Sequence, residues 1–88
     1  MKKFVYTNQH DKMDFGKFQG ETLLQICLNH SAYIEECLMN VPNFFISGNL
    51  VQLIQKMKPD FCTKRDIIKI LEKKATTSYW KELEENEE

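Results

Sequence analysis

Glycine and proline are scarce in this 88-residue chain, three and two residues respectively, so few positions can turn on backbone freedom or a fixed φ. Lysine and arginine are missing altogether from positions 21–55, which hold three glutamates. No run approaches the ~20 apolar residues of a spanning helix, so no membrane segment is expected. The basic opening Met1-Lys2-Lys3 turns polar at Thr7, leaving no signal-peptide core. The phosphate-loop spacing Gly-x4-Gly-Lys-Ser/Thr is absent, which excludes a nucleotide-hydrolysing loop of that type. There is no Cys-x2-Cys pair, and a structural zinc site needs four close ligands. The three cysteines, Cys27, Cys37 and Cys62, are an odd number set among apolar neighbours. They are expected to be reduced, buried thiols of a cytoplasmic protein.

What is present is a soluble, globular composition, 42% hydrophobic and 28% charged. The length suits one domain over 1–88 with a thin core, since a chain of this size buries only roughly 60–65% of its unfolded surface. Net charge is −1, but unevenly spread. Residues 56–74 hold seven Lys/Arg against three acids, and 81–88 hold one lysine against five glutamates. Such asymmetry either orients a partner or marks the solvated face of a helix.

Phe4-Val5-Tyr6-Thr7 is aromatic and β-branched and reads as a short strand. Lys12–Phe15 alternates in polarity and reads as the first arm of a hairpin. The turn is Phe15-Gly16-Lys17-Phe18-Gln19-Gly20, where Gly16 and Gly20 tolerate the positive φ of a tight turn. From Thr22 the period changes to that of a helix: Leu23, Ile26, Cys27 and His30 share one face, with Thr22 or Glu21 as cap. Ser31 restarts a helix carrying Tyr33, Ile34, Cys37, Leu38 and Val41, which Pro42 ends. Asn43–Ser47 reads as an apolar link, and Ser47 or Asn49 caps a third helix that Pro59 stops. Thr63 is the expected cap of a last helix running from Ile67 to Leu83, weakened at Thr76-Thr77-Ser78. Ile70 and Trp80 fall off its stripe. The expected fold is α+β: a short antiparallel β-hairpin unit of two or three strands packed on about four α-helices.

Met13-Asp14-Phe15-Gly16-Lys17-Phe18-Gln19-Gly20-Glu21-Thr22-Leu23, followed by Tyr33-Ile34-Glu35-Glu36-Cys37-Leu38, resembles the small domain at the C-terminus of exodeoxyribonuclease X-like proteins. The family pattern is similar to Phe-Gly-Lys-Tyr-Lys-Gly-x-Thr, a helix, then Tyr-Leu-x-Trp. The likeness covers residues 12–47, leaving 48–80 as a helical extension and 81–88 as an acidic, frayed tail. Glu36 stands where the family has tryptophan, and Gln19 where it has lysine. The resemblance implies an accessory domain, because catalysis in those exonucleases belongs to a separate metal-binding domain. It therefore carries no catalytic residue, metal or cofactor over to this chain.

The residues themselves offer two kinds of surface. Lys12, Lys17, Phe18 and Tyr33 join cations to aromatics on a turn, which suits phosphate contact with base stacking, and Lys64, Arg65 and Lys69 would extend it. Equally, Phe18 and Tyr33 could pack the turn onto the helices with Lys17 merely hydrated. Cys27 and His30 share a helical face at i, i+3, which falls short of a metal site. No cysteine has a positioned base beside it, and the Glu35-Glu36 pair reads as a solvated face. The expectation is a non-catalytic accessory module for DNA or RNA transactions in a prokaryote, phage or mobile element. The alternative is a protein-binding adaptor or inhibitor acting through Phe44, Phe45, Tyr79 and Trp80, residue types that anchor interfaces. A homodimer through the last helix would hide the same aromatics.

Overall fold

The computed structural model describes residues 2–85. Strand β1 (Phe4–Tyr6) forms where its aromatic and β-branched residues predict, but it does not return through a hairpin. It pairs in parallel with β2 (Phe44–Ile46), with Phe4 opposite Phe44, Val5 opposite Phe45 and Tyr6 opposite Ile46. This corrects the expected antiparallel unit. Parallel strands need a crossover of a dozen or more residues, and helices α1 (Leu23–Asn29) and α2 (Ser31–Asn40) supply it. The stretch read as an apolar link is therefore the second strand, with Phe44 and Ile46 buried and Phe45 half-buried. The class stands as α+β, mostly helical, with five helices among the described residues.

Only a remnant of the expected hairpin exists. Lys12 and Thr22 form a single antiparallel bridge, and the Met13 and Gly20 amides donate across it to Glu21 and Met13 carbonyls, both at 2.9 Å. Beyond Met13 the chain curls instead of pairing. Gly16 and Gly20 adopt φ of 79° and 93°, and the Gln19 and Glu21 amides close successive turns onto Gly16 and Phe18 carbonyls. A side chain on Gly16 would also strike the Tyr33 hydroxyl, whereas Gly20 faces open space. Gly16→Ala should therefore cost about 2–3 kcal/mol in urea unfolding, and Gly20→Ala only about 1–2 kcal/mol.

The helix caps follow the sequence at two of three positions. The Thr22 and Ser47 hydroxyls accept from the Gln25 and Leu50 amides, each at 3.3 Å, opening α1 and α3 (Gly48–Met57). Thr63 does not cap α4 (Arg65–Lys74): its hydroxyl donates to the Asp60 carbonyl at 2.9 Å, and Lys64 occupies the cap position without a side-chain bond. Leu23, Ile26, Ile34, Leu38, Phe44, Ile46 and Ile54 are fully buried at the centre of the core. Ile70 packs on that core from its edge.

The single last helix splits in two. Helix α4 stops at Lys74, and α5 (Thr77–Glu85) starts afresh with the Thr76 hydroxyl accepting from the Tyr79 amide at 3.3 Å. The hydroxyl and β-branched run Thr76-Thr77-Ser78 supplies a cap where a continuous helix would gain little. Trp80 Nε1 then donates to the Lys74 carbonyl at 2.6 Å, which the helix break leaves without an intrahelical partner. The Tyr79 hydroxyl donates to the Pro42 carbonyl at 2.7 Å. Of the expected acidic tail, residues 81–85 are helical, and 86–88 lie outside the described residues.

Lys74 itself is 1% exposed. Its ammonium donates to the carbonyls of Leu38, Val41 and Phe44, each at 2.8 Å. The cause lies in Pro42: the Leu38 carbonyl would accept from residue 42 in a continuing helix, and proline has no N–H to give. A cation at the end of α2 also suits the negative pole of that helix. Burial pushes the Lys74 ammonium down to about 8 from 10.5.

Candidate nucleic-acid interface

The turn of residues 16–20 lies against the start of α2, and this brings three of the predicted residues together. Lys17 Nζ sits 5.3 Å from the centre of the Phe18 ring and 6.0 Å from that of Tyr33. Phe18 meets Tyr33 edge-on, with centroids 4.9 Å apart. His30, at the hinge between α1 and α2, stacks on Phe18 at 4.3 Å with planes 23° apart. Phe18 and Tyr33 are half-buried while Lys17 and His30 are exposed, so the rings are anchored by packing and still accessible. They line a hollow of about 410 Å³ that Asn29 and Glu36 complete. Burial raises the Tyr33 phenol above its ordinary value.

The other predicted cations are elsewhere. Lys12 belongs to a separate hollow with Tyr6, His10, Asp11 and Asp14. There the Asp11 carboxylate accepts from the Thr7 and Asn8 amides, and Tyr6 donates to Asp14 at 3.3 Å. With two acids beside it, Lys12 is not part of the Lys17 cluster. Lys64 lies 3.7 Å from Glu35, in a trough between α2 and α4 that Met39 and Ile67 floor. That trough shares Ala32 and Glu36 with the Lys17 hollow, so the two adjoin there. Glu36, standing at the family's tryptophan position, is exposed on their common rim. Arg65 and Lys69 border a third hollow with Ile68 and Glu72.

The aromatic set expected at a protein interface divides as well. Phe44 is fully buried and unavailable to any partner. Phe45, Tyr79 and Trp80 are half-buried, with Trp80 edge-on to Phe45 at 6.4 Å. All three cysteines are buried and free, and burial pushes the Cys27 and Cys62 thiols up to about 12, far from a reactive thiolate. Cys27 is in the core while His30 is at the surface, and among the described residues no group of three His, Cys, Asp or Glu is placed to hold a metal.

Sequence reasoning missed His30 as the stacking partner of Phe18, because the two stand at opposite ends of α1 and meet only when the turn folds back along that helix. It also missed Lys74, although the spacing Ile67, Leu71, Lys74 already placed that lysine on the apolar face of α4. Among the described residues, no helix is long and apolar enough to cross a membrane. The chain matches no protein-family model, no curated protein and no solved structure.

Proposed function

We propose that this chain is a non-catalytic accessory module that binds single-stranded nucleic acid at the Lys17–Phe18–His30–Tyr33 cluster. The observation that carries the reading is the ammonium held over two anchored, half-exposed rings, with a third ring stacked beside them. A base has a π-face to stack on, and its phosphate has a cation within reach. The resemblance to the exodeoxyribonuclease X-like accessory domain points the same way, since its Gly16–Gly20 motif is the turn that presents Lys17. Glu36 on the rim disfavours close phosphates there, which restricts the strand to the Lys17 side of the hollow.

The test is fluorescence anisotropy of labelled single- and double-stranded DNA and RNA with wild type and Lys17→Ala. Single strands should bind more tightly than duplexes, and Lys17→Ala should weaken every sequence about three- to tenfold. Binding unchanged in Lys17→Ala sinks the assignment. The adaptor reading predicts that Trp80→Ala abolishes a protein complex without unfolding the domain. It is the weaker of the two, because Phe44 is sealed in the core and the polar ends of Tyr79 and Trp80 are bound internally.

A further inference from the structure

The trough between α2 and α4 has a counterpart on the other side of α4. Two of the carboxylates lining it, Glu36 and Asp66, are exposed, and among the described residues neither is in an ion pair. The third, Glu35, is half-buried, accepts from the Cys62 amide at 3.0 Å and faces Lys64. The trough thus sets three carboxylates against one ammonium, over a floor where Met39 is 45% exposed. Helix α4 turns once in about 3.6 residues, so Arg65, Ile68, Lys69 and Glu72 fall together on the side away from Asp66 and Ile67. All four are exposed, Ile68 by 42%. Arg65 and Lys69 are also outside any ion pair among the described residues, and they flank Ile68 against the one carboxylate of Glu72. An apolar side chain between two cations is the complement of an apolar floor between two carboxylates.

We propose that the trough receives the Arg65–Ile68–Lys69 side of a second copy of this chain, with Ile68 over Met39 and the two cations against Glu36 and Asp66. This contact is independent of the nucleic-acid reading of the Lys17 cluster. Charge selects the occupant: the carboxylates repel a phosphate backbone, and the chain itself carries the surface of matching sign. Because the two surfaces lie on different sides of one helix, the contact is head-to-tail. A pair of copies leaves one trough and one basic side free, so assembly continues into a ring or an open row. Exposed charges and a small apolar anchor make each contact weak and sensitive to salt.

The test is sedimentation velocity of the full chain across a concentration series, at low and at high salt. The wild type should gain mass with concentration at low salt and return to the monomer at high salt. Glu36→Lys/Asp66→Lys and Arg65→Glu/Lys69→Glu, each checked for a cooperative melting transition, should weaken self-association at least about tenfold. Mixed in equal amounts, the two variants should associate again, since the intact basic side of the first meets the intact trough of the second. A mixture that stays monomeric overturns the proposal. So does a wild type that is monomeric at every concentration, which leaves the trough to a basic segment of another protein. Association that survives in both variants overturns it too, and moves the contact to the aromatics of α5.

Discussion

Lys74→Met should destabilise the domain by about 3–5 kcal/mol, read as a drop in the urea midpoint at constant slope. Methionine matches the length of the stem but donates nothing, so the carbonyls of Leu38, Val41 and Phe44 lose the ammonium that holds them. Those carbonyls lie along the turn from α2 into β2, the connection that makes the parallel pairing possible. For a chain of this size such a loss is a large share of the total stability. If Lys74→Met costs less than about 1 kcal/mol, the ammonium does not hold that turn.

The same lysine has a pH signature. Its proton is held only to about 8 in the fold, against 10.5 in the unfolded chain, so between those values the unfolded chain binds more protons and stability rises with pH. Tyr6, Cys27 and Cys62 act oppositely. Burial pushes each to about 12, above ordinary values of 10.0 and 9.0, so their contribution falls once pH passes about 9. Subtracting the pH profile of Lys74→Met cancels the thiols and the phenol. The wild type should gain about 1 kcal/mol on the variant between pH 7 and pH 9.

Phe18→Ala should weaken single-strand binding by about 1–3 kcal/mol, roughly five- to 150-fold, the worth of one stacking ring. The ring is at once the partner of His30, the edge neighbour of Tyr33 and the seat of Lys17, so its loss disperses the cluster as well as removing a platform. Affinity should fall alike for DNA and RNA because stacking does not read the sugar. An affinity within twofold of wild type would show that the ring serves packing alone.

The helical half of the fold is legible in the sequence. Leu23, Ile26 and Cys27, then Ile34, Cys37 and Leu38, repeat at helical spacing, and Thr22, Ser47, Pro42 and Pro59 mark where helices begin and end. Pairing is not legible in the same way. Phe4–Tyr6 has only three residues of strand, and nothing local says that its partner lies forty positions on at Phe44–Ile46 rather than across the glycine turn. The turn looked like a hairpin because two glycines suit one, yet the positive φ at both curls the chain away from a ladder. Lys64, Arg65 and Lys69 are close in sequence to one another, yet they border hollows other than the one Lys17 lines. Lys3 meets the Trp80 ring through a tertiary approach that periodicity does not encode.

The most direct measurement is the salt dependence of wild-type binding to a labelled single strand. Nucleic-acid binding predicts saturable anisotropy whose log affinity falls linearly with log salt, by about 0.7 for each phosphate contacted, so a slope of about −2 or steeper is expected. No binding at low salt, or an affinity indifferent to salt, would contradict it.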